Sequence, residues 1–205
     1  MNSANWQLGL LLSFHPHVLR CLVSLQIYVK NRFGSRRGLM RSAIAEAKYF
    51  LGIYKKCEKV DLDNVRRLIF VCSGNICRSP LGEYVAKSQG VTAESFGLDT
   101  RGGDPADPRA ITYASAQNID LTSHRTRKIE SYSPQTGDLL IGMEPAHYQK
   151  LKLLYGDQVA ITLAGLWLKK PKTYLHDPYN TNVEFFNNCS SLVEESAKAL
   201  AARLK

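Results

Sequence analysis

A short, unbroken apolar run, Leu68 to Val71, passes directly into Cys72-Ser73-Gly74-Asn75-Ile76-Cys77-Arg78-Ser79-Pro80. The apolar run reads as a buried strand, and Pro80 sits well in the first turn of a helix over about Ser79–Lys87. The loop between them therefore ends at a helix N-terminus, where free backbone N–H groups and the helix dipole favour an anion. Gly74 permits close backbone approach and Asn75 tolerates a left-handed turn, so successive N–H groups can form an anion-binding nest. Arg78, six positions after Cys72, offers a planar two-pronged fork to an oxyanion. The same fields stabilise a thiolate at Cys72. The segment is not a nucleotide phosphate loop, because no Lys-Ser/Thr pair follows the glycine.

The remainder of the chain supplies a setting for that loop. Strands are expected near Thr92–Phe96, Asp138–Met143 and Gln158–Leu163, alternating with helices near 109–117, 145–154 and 183–204. Such alternation predicts an α/β fold with a doubly wound parallel sheet, whose ligands lie at the carboxyl ends of the strands. Cys72 occupies such an end. The loop Lys169–Asn182 carries His176-Asp177-Pro178-Tyr179. If a thiolate attacks a phosphate ester, a proton donor is needed for the leaving oxygen. Asp177, held extended by Pro178, is the candidate.

Residues 1–60 follow a different pattern. Trp6 to Val29 is rich in apolar residues, with Ser13, His17, Arg20 and Ser24 forming a polar stripe, and reads as an amphipathic helix kinked or restarted at Pro16. A second helix is expected from about Arg41 to Lys59. The first helix lacks a basic leader and a small-residue cleavage site, which disfavours a secretory signal, and an Arg and two His make a membrane span costly. Of the 27 Lys/Arg, ten fall in residues 1–65 against four Asp/Glu, so most of the net charge of +9 lies there. A basic N-terminal third argues against nucleic-acid binding by the main domain. The direct reading is that the extension packs on the main domain or on another copy of the chain. The alternative is docking on an anionic membrane surface. The five cysteines form no disulfide framework and no zinc-ligand spacing, so a reducing compartment is expected. That places the protein in the cytoplasm, with peripheral attachment at the inner membrane face if the extension docks there.

Val71 to Pro80 together with Asp177-Pro178-Tyr179 resembles the low-molecular-weight protein tyrosine phosphatase family. Pro105–Ala110, Ser123–Arg127 and Asp138–Glu144 look like further landmarks of it. The resemblance covers about residues 67–204, dividing the chain into an extension, 1–60, and a phosphatase domain, 66–205. It implies a four-stranded parallel sheet flanked by helices on both faces, hydrolysis of phosphotyrosine in protein substrates, and no metal or other cofactor. It implies that Cys72 is the nucleophile, Arg78 the phosphate and transition-state ligand, and Asp177 the acid and then the base. Ser73, Gly74, Asn75, Ile76, Cys77 and Ser79 would line or support the phosphate loop, with His124 supporting Asn75 and Tyr179 lining an aromatic slot. Cys77 matches a second loop cysteine able to trap an oxidised Cys72 as a disulfide. Ser73, Phe96 and the wall Leu98–Arg101 depart from the commoner family residues. Asn180 follows Tyr179, so the pattern looks closer to bacterial members acting on tyrosine kinases of polysaccharide export. Arsenate reductase and phosphoarginine phosphatase are the alternatives within the superfamily. The first is disfavoured because only Cys189 lies beyond Cys77, the second because Ile76 stands where those members have Thr.

Overall fold

The computed structural model describes residues 16–204. Four strands, β1 (Arg67–Cys72), β2 (Ala93–Gly97), β3 (Asp138–Gly142) and β4 (Ala160–Leu163), form one parallel sheet in the order β2-β1-β3-β4. Side chains of β1 alternate between two apolar layers, because successive residues of a strand face opposite sides. Leu68, Phe70 and Cys72 belong to one buried cluster, Ile69 and Val71 to the other. The first layer is closed by α4 (Arg78–Ser88), α5 (Pro108–Ala116) and α7 (Val183–Ala202), the second by α6 (Pro145–Tyr155) and the 3-10 turn Ile129–Ser131. A strand buried on both faces explains why β1 is a continuous apolar run rather than an alternating one.

Arg67, at the start of β1, donates to Glu94 on β2 at 2.6 Å and to Asp138 on β3 at 2.8 Å. This partly buried ion-paired fork pins the three strands at their amino ends. Because β2 and β3 flank β1 on opposite sides, the chain reverses direction across the sheet at the carboxyl end of β1. Cys72 stands at that switch point, paired in register with Gly97.

The extension contributes α1 (Pro16–Phe33), α2 (Arg36–Phe50) and the single turn α3 (Lys55–Glu58). The sequence-based helix from Trp6 begins at Pro16 among the described residues, and its earlier part lies outside them. The expected helix over 41–59 is instead α2 followed by a break. Ser35 starts α2 five residues earlier, its Oγ accepting from the Gly38 N–H at 2.9 Å. Gly52, at φ +73°, ends the helical path. Beyond the break, Tyr54 and Cys57 pack on Leu163 of β4, and Thr162 Oγ1 donates to the Cys57 carbonyl at 2.7 Å. At the other end Asn182 and Asn188 hold Asn31 of α1 through bonds of 2.6 and 3.1 Å. The extension is thus attached beside β4 and near α7, while the opposite sides of α1 and α2 stay open to solvent.

Candidate active site

The polar loop leaves β1 at Cys72 and turns back through Asn75, whose φ of +56° is the left-handed conformation its short polar side chain tolerates. Asn75 is fully buried and bonded in every direction. Its side-chain N–H groups donate to Ser79 Oγ at 2.9 Å and Ser95 Oγ at 2.8 Å. Its Oδ1 accepts from the Arg127 N–H at 2.8 Å, and its carbonyl accepts from His124 Nε2 at 2.8 Å. Burial lowers the His124 pKa, consistent with a neutral ring whose Nε2–H is the donor. Ser95 passes the chain on, donating to Glu83 on α4 at 2.6 Å.

Two donors converge on the Cys72 sulfur. The Asn75 backbone N–H lies 3.3 Å from Sγ and Ser79 Oγ lies 3.0 Å from it. Ser79 Oγ accepts from Asn75, and its hydroxyl hydrogen has the sulfur at 3.0 Å as a nearer acceptor than the Phe96 carbonyl at 3.5 Å. The N-terminus of α4 begins immediately beyond, at Arg78.

Arg78 is buried, and its guanidinium is fixed on two edges. Nη1 donates to the Leu175 carbonyl at 2.9 Å and to Glu144 Oε1 at 3.3 Å, while Nη2 meets Asp177 Oδ2 at 2.8 Å. Burial opposes its charge, but Asp177, Cys72 and Glu144 outweigh that and hold it protonated. Its Nε is buried with no partner among the described residues. A buried donor left unpaired is costly, and in a cavity it marks the place of a ligand acceptor.

Asp177 reaches this point from the distant 168–182 loop. The loop is tied to the end of β3 by the Leu175 N–H, which donates to the Met143 carbonyl at 2.9 Å. Asp177 Oδ1 also accepts from the Tyr179 N–H at 3.2 Å, an Asx turn that orients the carboxylate. Cys72, Ser73, Gly74, Ile76, Cys77, Arg78, Asp177 and Tyr179 thus meet around one cavity of about 290 Å³. Asn75, Ser79 and His124 lie behind its wall.

Other residues of this site have no role readable from sequence. Glu144 is part of a family landmark, yet its bond to Arg78 spans 66 positions. His147 joins it, with Nδ1 accepting from the Met143 N–H at 3.2 Å and Nε2 facing both Glu144 at 3.2 Å and Ser73 Oγ at 3.2 Å. Burial, with Arg78 nearby, lowers its pKa to about 3, so the ring is neutral and Nε2 carries the proton. Ser73, a departure from the commoner family residue, is therefore used as a partner for that ring. Of the expected wall Leu98–Arg101, Asp99 lines the cavity, whereas Leu98 is buried in the second apolar cluster. Asp107 accepts from the Cys77 thiol at 3.7 Å and caps α5 through the Arg109 N–H. Burial and the Asp107 carboxylate push the Cys77 pKa up and keep it a thiol. Among the described residues no group of His, Cys, Asp and Glu is arranged to hold a metal ion.

A parallel α/β domain with a cysteine-to-arginine loop opening a helix at its switch point defines the class. The model of the low molecular weight phosphotyrosine protein phosphatase family matches residues 67–205, and the chain belongs to that family of phosphoric monoester hydrolases. The protein-tyrosine-phosphatase Etp of Escherichia coli (strain K12) is 30% identical over 140 residues, spanning 67% of this chain and 93% of the relative. The structure of Vibrio vulnificus Wzb in complex with benzylphosphonate is 30% identical, with a TM-score of 0.56 over 68% of this chain and 99% of that one. The YwlE arginine phosphatase from Geobacillus stearothermophilus, at 20% identity and a TM-score of 0.59 over 68% of this chain and 92% of that one, shares the fold alone.

Proposed function

We propose that residues 66–205 hydrolyse phosphotyrosine in protein substrates through a phosphocysteine intermediate. The observation that carries this reading is the buried Arg78 with its unpartnered Nε, beside a cysteine sulfur that receives two donors. A phosphoryl dianion fits between them, accepting from the Arg78 fork and from the N–H groups of the loop. Asp177 holds one edge of that fork. Substrate oxygens displace it, leaving the carboxyl beside the leaving oxygen. Cys72 attacks as its thiolate, the S–P bond forms, the P–O bond to the phenol breaks, and Asp177 gives its proton to the departing oxygen. Asp177 then takes a proton from water as that water attacks phosphorus, and the S–P bond breaks to release phosphate and restore the thiolate.

An aromatic leaving group is supported by Ile76 and the half-exposed ring of Tyr179 at the cavity's rim, and by the benzylphosphonate in the Vibrio relative. Following the resemblance to bacterial members, we assign the physiological substrate to a tyrosine kinase of polysaccharide export. Cys72→Ser tested on an aryl phosphate decides the chemistry, since turnover near the parent level would refute it. Phosphate release from phosphotyrosine but not phosphoarginine peptides is the expected selectivity.

For the extension we propose attachment to an anionic membrane surface. Leu22 and Leu25 on α1, with Phe50 at the end of α2 and Leu51 and Ile53 just beyond it, are exposed large apolar side chains, Phe50 at 81% and Leu51 at 77%. Arg20, Lys30, Arg36, Arg37 and Lys48 add charge of the complementary sign. Among the described residues no helix is long and apolar enough to cross a membrane. The full chain should co-sediment with vesicles containing anionic phospholipid at low salt, and less with neutral ones. Equal or no sedimentation with the two, or burial of this face in a concentration-dependent dimer, would overturn the assignment.

A further inference from the structure

The acid-bearing loop is held from behind by the extension. His176, the residue before Asp177, is packed into the turn joining α1 to α2. A Cβ at Gly34 would lie 2.9 Å from His176 Cδ2, and one at Gly38 would lie 2.8 Å from the same atom. The imidazole thus sits against two glycines that the turn itself also requires, since Gly34 has φ +74° and a Cβ at Gly38 would collide with the Phe33 carbonyl oxygen. The ring also packs on Phe185 of α7, with centroids 5.8 Å apart. Its two nitrogens are engaged by opposite sides of the interface. Nε2 faces Ser35 Oγ at 3.4 Å, and Nδ1 meets the Tyr174 hydroxyl at 2.7 Å. Arg41 of α2 lines a common cavity with Tyr174. A Tyr174 hydroxyl that donates to Nδ1 leaves Nε2–H for Ser35. Around this contact α2 and the 172–176 segment are separated by a cavity of about 370 Å³, so the turn bears on the loop mainly through His176.

We propose that the Gly34–Gly38 turn of the extension is a positioning element for Asp177, with Ser35 acting through His176 and Tyr174 acting through the same ring. The proposal rests on Asp177 being the general acid. Misplacing a catalytic group by about 1 Å can cost roughly a hundredfold. Loosening one side of its buttress is expected to cost about tenfold where proton donation matters.

The measurement is kcat/KM of the full-length protein for phenyl phosphate relative to 4-nitrophenyl phosphate. Phenol leaves poorly and needs the proton, whereas 4-nitrophenol leaves well without it. Ser35→Ala and Tyr174→Phe should each lower this ratio about tenfold, and Ser35→Thr, which keeps the hydroxyl and the helix cap, should restore it. In an Asp177→Asn background Ser35→Ala should change the ratio no further. A parental ratio in both Ser35→Ala and Tyr174→Phe, or an equal loss on both substrates, overturns the positioning role even if Asp177→Asn shows the leaving-group dependence. If Asp177→Asn itself shows none, the general-acid reading fails first.

Discussion

Asn75 concentrates the loop's structural demands in one residue, so its replacement gives a prediction whose size follows from the geometry. Asn75→Ala removes three buried side-chain hydrogen bonds, those to Ser79, Ser95 and Arg127. At about 1 kcal/mol net apiece they amount to about 3 kcal/mol. An alanine must also hold φ near +56°, which costs a further 1–2 kcal/mol or so for an L side chain. The total is about 4–5 kcal/mol, a large share of the stability of an ordinary domain. Asn75→Gly loses the same bonds but relieves most of the backbone strain, so it should be about 1 kcal/mol less destabilised than Asn75→Ala. Urea denaturation with the slope held constant measures both, and the alanine midpoint should fall by roughly 1.5 M. Coincident midpoints for the two variants would show that the left-handed turn is not strained. A loss below about 1 kcal/mol in either would show that the buried bonds do not hold the loop.

Two further predictions test the scaffold around the site. His147, its folded pKa near 3 from burial and the Arg78 charge, binds its proton more readily in the unfolded chain. Its contribution is therefore complete above about pH 6.5 and falls as the pH drops toward 3, amounting to about 2 kcal/mol between pH 6.5 and 5. Burial shifts His124 and His176 in the same direction, so urea midpoints should decline from pH 7 to pH 5. His147→Gln should flatten that decline, and an unchanged slope would refute the assignment. Gly82 on α4 faces Phe70 so closely that an added Cβ would lie 2.6 Å from its Cδ1. Helix propensity favours Gly82→Ala by about 1 kcal/mol, but overpacking a fully buried ring costs about 1–3 kcal/mol. A lowered Tm is expected, and a raised one would mean that β1 and α4 can part at no cost.

What was legible in the sequence was whatever is local along it. The apolar run 68–71, the helix opening at Arg78 and the strand 138–142 each carry their signal within a few residues. The site's chemistry was legible for the same reason, since Cys72, Gly74, Asn75 and Arg78 share one loop, and Asp177 carries its own Asx-Pro punctuation. The supporting shell was not legible, because each of its contacts joins residues that no period relates. Asn75 reaches Ser95 and then Glu83, Arg78 reaches Glu144, and His147 turns back to Ser73, all through single polar atoms on separate elements. Another such contact, Ser35 to His176, spans 141 positions.

That last contact also changes the meaning of residues 1–60. Read along the chain, they are two amphipathic helices whose glycines look like a connector between them. In three dimensions Gly34 and Gly38 are the notch for an imidazole one residue from the candidate acid, so their small size answers to the phosphatase domain as well as to the turn. The Ser35 hydroxyl has a double use in the same way, capping α2 and facing His176. If the exposed apolar sides of α1 and α2 meet a membrane while the Gly34–Gly38 turn holds the acid loop, one pair of helices links where the enzyme sits to how well it protonates a leaving group. The leaving-group ratio measured with and without anionic vesicles would then shift in the parent and stay constant in Ser35→Ala. A shift of equal size in both would uncouple the two ends of the extension.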